Sequence, residues 1–558
     1  MAAESLGSFD VVIVGAGVIG GLVTHELAKH GRRVLMLDAG APLGLGRDGD
    51  ITRMQLVGHF ATEDNRGPGA PYRWLPIHGP ESDANYTHAA DSGDHFKSGY
   101  VLGAGGTTWH WLGSVPRMLP GDFAMRTRFG VGVDWPIGYQ DLEPWYGRAE
   151  EALGVAGDHA GLDGLHGAQR TAPFPMTEIW PSYSDLVVER ALAGRSFEGV
   201  ALTVLRTPQA RNSRPYDGRP ACAGNSICVP ICPIGAKYDG TVHVKKALAL
   251  PQPARLETLA TVTRVLVSES GVASGVELLL NDQKRTAEAR AVVLAAHAIE
   301  TPRLLLAGGL ANASGQVGRN LMDHTNRFGS IIAREPMFPF RGPPSTSGID
   351  AFRDGAFRRE RAAFRLSLGN DGAGRNAPPE GVAMRLVKAG LLGPELLSSI
   401  RREIEPLFRV SSSTEVLPSA ANGIRLRAGE MERGLPPFEI SFTVDDYTRR
   451  GYLYAERAMG AIFEHVGSTK APDFDPDQRN FSGAGHIMGT CRMGNSPSTS
   501  VVDASCRAHE HRNLFVAGTS LFPTGGTANP TLTAAALALR LAEHLKGLFD
   551  RAGSTGPI

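Results

Sequence analysis

The chain of 558 residues carries no surplus charge, since 57 lysines and arginines balance 57 aspartates and glutamates. Without a basic excess or a basic run, a role on nucleic acid or an anionic membrane has little support. No apolar stretch approaches the roughly 20 residues that span a bilayer, so no membrane insertion of the chain is expected. The opening, Met1-Ala-Ala-Glu-Ser-Leu-Gly-Ser, lacks both a charged n-region and an apolar h-region, and no export signal of the chain's own is expected. Internal repeats and a long disordered linker are absent too; only the small-residue tail from Gly553 to Ile558 is expected to fray. What is present is bulk. Hydrophobic residues make up 42% of the chain, enough for a substantial core in two domains or one elaborated one.

Cysteine is scarce, yet unevenly spread. Three of the five cysteines, Cys222, Cys228 and Cys232, fall within eleven residues. A random window of that size would hold roughly 0.1, and clusters at such spacing are the usual trace of metal or iron–sulfur ligation. The stretch therefore points to electron transfer.

A second signal lies at the start. The apolar run Phe9–Val14 reads as a buried strand leading into Gly15-Ala-Gly17-Val-Ile-Gly20, then a helix to about Lys29 and a strand from Arg33 that ends at Asp38. Glycines in this setting allow a tight turn and bring backbone N–H groups close to a pyrophosphate, and Asp38 is placed to accept ribose hydroxyls. Asp38 could instead simply close its strand. The motif serves nicotinamide and flavin dinucleotides alike, so other segments must decide between them.

A second glycine cluster, Gly103-Ala-Gly105-Gly106-Thr107-Thr108-Trp109-His110-Trp111, would suit close backbone approach to an isoalloxazine ring. The alternative is a tight loop over core tryptophans. Strand-and-helix patterns recur from Ala291 and from Asn513. A Rossmann-like α/β sheet completed by such distant segments fits a flavoprotein better than a compact nicotinamide module.

At this point the chain resembles the glucose–methanol–choline (GMC) family of flavoproteins over nearly its whole length. The matching segments are FDVVIVGAGVIGG, GAGGTTWHW, VVLAAHAIETPRLLL, VGRNLMDH, GHIMGTCRMG and VAGTSLFPTGGTANPTLTAAALALRLAEHL. The cysteine run followed by Pro-Ile-Gly-Ala resembles the catalytic subunits of bacterial sugar and glycoside dehydrogenases. The resemblance implies FAD, oxidation of a sugar hydroxyl, and a [3Fe-4S] cluster held by Cys222, Cys228 and Cys232. Three thiolates suit a cubane lacking one iron, and Pro233 after Cys232 matches the Cys-Pro ending of ferredoxin runs. A disulfide or plain packed thiols remain open, and zinc lacks a nearby fourth ligand. Ala223 stands where some relatives carry a second adjacent cysteine that bonds a small partner subunit, so no such covalent link is expected.

The chemistry is expected near the C-terminus. An alcohol carbon releases hydride only if its hydroxyl proton is removed at nearly the same time, a task suited to a neutral imidazole. His486 matches the family's catalytic histidine and Asn529 the partner that would hydrogen-bond the substrate oxygen. Asn529 before Pro530 and an apolar helical run also has the form of an N-cap, and the two readings can coexist. The resemblance further implies FAD contacts by Gly15, Gly17, Gly20, Asp38, Gly105, Gly106, Thr107, His110, Gly518, Asn529 and Pro530. A covalent flavin link through His110 is the narrower alternative to tight noncovalent binding. Cys491 and Cys506 read as packed core thiols.

The expected division is an FAD domain over 1–327, including the flavin-contact loop at about 100–115 and the cysteine segment at about 220–240. A mainly substrate-binding cap of sheet and helix follows over 328–480, and a return to the FAD domain over 481–558. Arg358-Arg359-Glu360-Arg361 is expected to be a solvated face. The implied partners are a sugar or glycoside, a small chaperone-like subunit and a cytochrome c subunit. Location would be periplasmic by co-export with a signal-bearing small subunit, or cytoplasmic. Two rivals are kept: an oxidase passing electrons to O₂ without iron, and a noncatalytic electron-transfer flavoprotein.

Overall fold

The structure, a computed structural model, describes residues 4–42, 45, 77–78, 86–109, 111–226, 228–229, 232–372, 379–474, 481–553 and 558. Its first strand, β1 (Glu4–Val14), holds Val11, Val12 and Ile13 fully buried, the mark of a parallel strand covered on both faces. β1 begins five residues before the apolar run because Glu4 and Ser5 pair with Arg285 and Thr286 of a distant strand, a tertiary pairing that local pattern does not reveal. The glycine turn follows, then α1 (Val18–Lys29) and β2 (Val34–Leu37), giving the expected strand–helix–strand unit.

The first sheet runs Arg255–Glu257, β2, β1, Gln283–Leu294, Ala273–Leu280, Ala260–Val267. Its first four strands are parallel and the last two turn back as an antiparallel meander. Leu514–Val516 pairs parallel with Val292–Leu294, so the C-terminal segment completes the sheet. Helix Thr531–Ala552 then packs on α1, burying Leu532, Leu537, Leu541 and Leu545 in the main core. The mixed α/β architecture is the one the motifs imply.

The second sheet is antiparallel, in the order Asp473–Phe474, Thr325–Ile332, Leu407–Thr414, Phe364–Gly369, Ser347–Ile349, Leu205–Arg206. It takes an edge strand from well before residue 328, and the alternating run at Phe438–Ser441 pairs apart from it with Gly423–Leu426. Helix Asp446–Val466 lies across one face, setting Ala455, Met459, Ile462 and Phe463 against Ile331, Phe364, Leu366 and Phe408 in a separate core. Its start is capped by Asp445, whose carboxylate accepts from the Thr448 N–H at 2.7 Å. Among the described residues no helix is long and apolar enough to cross a membrane.

The charge run at 358–361 is corrected in part. Arg359 and Glu360 are exposed, but Arg358 is fully buried, with its guanidinium 2.8 Å from Asp122 and 2.6 Å from Glu415. A short 3-10 turn at Ala356–Arg359 aims this one side chain inward, where the carboxylates offset the cost of removing its charge from water.

Candidate active site

The glycine turn opens on a cleft of about 420 Å³ that runs along the ends of the parallel strands. Gly15 has φ +108°, and a Cβ there would press on the Ala295 carbonyl, so the close approach of β1 to its neighbour requires glycine. Gly17 lines the cleft with nothing within 4 Å of where a Cβ would stand, leaving its wall open to a ligand. Gly20 lies behind the wall, where a Cβ would collide with the Gly15 carbonyl; it lets α1 sit tightly on the turn. Asp38 lines the cleft and accepts from the Ala16 N–H at 2.8 Å and the Gly40 N–H at 2.9 Å. Burial raises its carboxyl above the usual range while those two bonds favour the ionised form.

The second glycine loop forms the facing wall, with Gly105, Gly106 and Thr107 on the cleft. Thr108 Oγ1 accepts from the Gly240 N–H at 2.8 Å, and buried Trp109 donates from Nε1 to the Ala104 carbonyl at 2.7 Å. The loop is thus both a cleft wall and a tight turn over a core tryptophan. His110 lies outside the described residues. Gly518, Asn529 and Pro530 line the same cleft. An open-walled glycine turn, a paired acidic residue and backbone-lined walls fit FAD, whose nucleotide end would lie along Gly15, Gly17 and Asp38.

At the far end stand three polar side chains in series. Asn529 Nδ2 donates to His486 Nε2 at 2.9 Å, and His486 Nδ1 lies 2.8 Å from His324 Nδ1. His324 Nε2 lies 2.9 Å from the Gly526 carbonyl oxygen. Pairing of 322–326 with 482–488 brings the histidines together: Met322 and Met488 exchange backbone bonds at 2.9 Å, and Asn326 N–H reaches Ser482 at 2.8 Å. Asp323 pins the turn by accepting from the N–H groups of Ala484, Gly485 and His486 and from the Ser98 hydroxyl. Burial pushes its carboxyl up to about 6 against those four bonds. Burial, with a smaller push from His324, holds His486 well below the ordinary imidazole value, and burial takes His324 down to about 4. Both rings are neutral near pH 7.

The N-cap form at Asn529 resolves differently from its sequence pattern. The helix starts at Thr531 with Pro530 as its cap residue, no side chain caps it, and the Asn529 amide is turned to His486. His324 and Asp323 received no role from the sequence. They lie in VGRNLMDH, a segment without periodicity or ligand spacing, and only the pairing with 482–488 gives them meaning.

The cysteine segment lies behind the second glycine loop. Cys228 and Cys232 are buried and Cys222 is half-buried. Burial raises the Cys228 thiol, Arg211 and Lys237 lower it, and Cys232 and Cys222 raise it further, so Cys228 feels the charge of both other thiols. Among the described residues no three His, Cys, Asp or Glu side chains converge tightly enough to form a metal cage. The surrounding cations are telling. Lys237, fully buried, donates to the carbonyls of Trp109 at 3.0 Å, Trp111 at 2.6 Å and Cys228 at 2.7 Å, and burial takes its ammonium down to about 8. Arg211 is 1% exposed and donates from Nη2 to Leu112 O, yet its Nε and Nη1 have no hydrogen-bond partner among the described residues. Cys228, Cys232 and Asp239 all favour the charged form of Lys237, as a buried cation requires negative charge nearby. A donor set of three thiols beside two such cations fits an anionic iron–sulfur cluster. Cys491 and Cys506 are packed in the main core, the former with its thiol pushed up by burial.

Comparison with known proteins agrees with this layout. GMC oxidoreductase family models match residues 202–326 and 418–538. The large subunit of fructose dehydrogenase from Gluconobacter japonicus is 36% identical over 98% of this chain and 99% of its own length. Paromamine 6'-oxidase from Streptomyces fradiae is 28% identical over 97% and 91%, and the gluconate 2-dehydrogenase flavoprotein from Pantoea cypripedii 22% identical over 100% and 96%. In fold, pyridoxine 4-oxidase from Mesorbium loti aligns with TM-score 0.62 at 20% identity, covering 96% of this chain and 98% of that one. Formate oxidase aligns with TM-score 0.65 at 15% identity, covering 99% and 100%. Two matched family segments and a relative at 36% identity along the whole chain mean that this protein belongs to the GMC oxidoreductase family of enzymes.

Proposed function

We propose that this enzyme is an FAD-dependent dehydrogenase that oxidises a hydroxyl of a sugar or glycoside and passes the electrons out of the cleft through the cysteine segment. The observation that carries the chemistry is the series Asn529–His486–His324 at the end of the cleft. A substrate hydroxyl inserted between Asn529 and His486 accepts a hydrogen bond from the amide and gives its proton to His486 Nε2. As that proton leaves, the carbon loses hydride and becomes a carbonyl, so two electrons and one proton depart together while the second proton stays on the imidazole. Bound in place, FAD supplies the hydride acceptor, and a [3Fe-4S] cluster on Cys222, Cys228 and Cys232 supplies a carrier of single electrons.

The sugar assignment is supported by relatives whose names include fructose, gluconate and C-glycosides. Partner subunits are supported by the "large subunit" in the name of one relative; a small chaperone-like subunit and a cytochrome c are the partners proposed, with the periplasm as the compartment if that small subunit bears the signal. An O₂-using reading is supported by relatives named oxidases. One experiment separates the readings. Anaerobic D-fructose, gluconate and a C-glycoside are offered to the holoenzyme, and reoxidation of the bleached flavin is timed with O₂ and with a one-electron acceptor such as ferricyanide. Bleaching by one of them with at least tenfold faster reoxidation by ferricyanide supports the dehydrogenase. Faster reoxidation by O₂ with peroxide formed selects the oxidase, and no bleaching by any of the three contradicts the sugar class.

A further inference from the structure

We infer that His324 is a positioning residue for alcohol oxidation, fixing which nitrogen of His486 carries a proton. The inference rests on the reading of His486 as the base. A backbone carbonyl only accepts, so the 2.9 Å contact with Gly526 O requires the proton of neutral His324 to be on Nε2. Its Nδ1 is then a bare lone pair, and the 2.8 Å contact between the two Nδ1 atoms can be a hydrogen bond only if His486 Nδ1 carries the hydrogen. The remaining nitrogen of His486, Nε2, is left with its lone pair facing the Asn529 amide, on the cleft side where the substrate hydroxyl enters. One carbonyl at Gly526 thus sets, through two rings, the protonation pattern of the base.

The arrangement has the logic of a nucleophile–base–orienter triad, in which the orienting group holds the imidazole in its working tautomer. Here the orienter is uncharged. Among groups near His324, Asp122 is paired with Arg358 and Arg353 with Asp350, and their pulls on its ring are of opposite sign. Asp323, on the same segment, binds backbone N–H groups of the 484–486 turn rather than either ring. No carboxylate therefore draws the His486 proton away; the tautomer is held by geometry alone. The T-shaped packing of the rings, 82° between planes with centroids 5.0 Å apart, suits one in-plane bond between them.

The test compares the holoenzyme with its H324L, H324N and H486L variants, using anaerobic flavin reduction over a range of concentrations of the sugar that bleaches the parent and ¹⁵N-histidine NMR of the ring nitrogens. Leucine removes the acceptor. Asparagine returns a carbonyl oxygen close to where Nδ1 stood, while neither variant keeps the bond to Gly526. Expected are a fall of about 100-fold in the limiting rate for H324L with little change in KM, recovery to within about tenfold of the parent in H324N, and a His486 Nδ1–H tautomer in the parent and H324N that becomes mixed in H324L. H324M replaces H324L if the latter does not fold. An H324L rate within about threefold of the parent, or a His486 Nε2–H tautomer in the parent, overturns the inference. If H486L itself reduces flavin at the parent rate, the reading of His486 as the base fails, an outcome distinct from an inactive H486L beside a fully active H324L.

Discussion

The two ends of the proposed electron path differ in how completely the polypeptide satisfies them. At the histidine end every ring nitrogen of His324 and His486 meets a partner, and the turn beneath is tied by three bonds to Asp323, which also accepts from the Ser98 hydroxyl. At the cysteine end two buried cations stand beside three thiols, and Arg211 leaves two guanidinium nitrogens without partners among the described residues. The chain alone preorganises the first end, the one proposed to move a proton. The second has the charge balance of a holder for an anionic group, since buried polar groups in native proteins are otherwise paired.

The sharpest way to break this contrast is His486→Asn. Losing the base slows flavin reduction by about 1,000-fold, while the melting temperature and flavin absorbance stay near the parent values; stopped-flow absorbance measures the former and a retained fast phase contradicts it. Next comes Lys237→Met. Three buried carbonyls, on Trp109, Trp111 and Cys228, lose a charged donor, and stability in urea falls by about 3 kcal/mol. A loss under about 1 kcal/mol would mean that the ammonium does not tie the glycine loop to the cysteine segment.

The pH dependence is the next largest. Burial lowers the His486 pKa, so the ring stays unprotonated, and competent as a base, as pH falls from about 8 past 6.5. The limiting rate is therefore flat across that range and drops only below it; an acidic limb centred at or above 6.5 contradicts the assignment. The smallest effect on stability is expected from Arg211→Met. Because two of its nitrogens have no partner among the described residues in a buried site, removing the charge changes the stability of iron-free protein by no more than about 0.5 kcal/mol. The iron bound per chain should fall by at least half, as measured by colorimetric analysis, and unchanged iron would separate Arg211 from the thiols.

How much of this was legible beforehand follows the range of the interactions. The strand–glycine–helix–strand unit, Asp38 and the loop at 103–109 are local patterns, and each appears where its residues stand. His486 and Asn529 were singled out through motifs and stand within hydrogen-bonding distance of each other, while the capping that the Asn529-Pro530 pattern also allowed is not made by the amide. His324, Asp323, Arg211 and Lys237 were missed because their partners lie far along the chain: His324 meets His486 across 162 positions and Lys237 meets Trp109 across 128. Arg358 failed for the same reason, since Asp122 and Glu415, which neutralise it, are invisible in a window that shows only a charge run.

The most direct test of the proposed electron path is EPR with iron and acid-labile sulfide analysis on the purified holoenzyme, before and after anaerobic addition of the sugar that bleaches its flavin. Expected are about three irons per chain and the signal of an oxidised cluster that disappears as the sugar bleaches the flavin. Flavin bleaching in a protein with no iron and no such signal would contradict it.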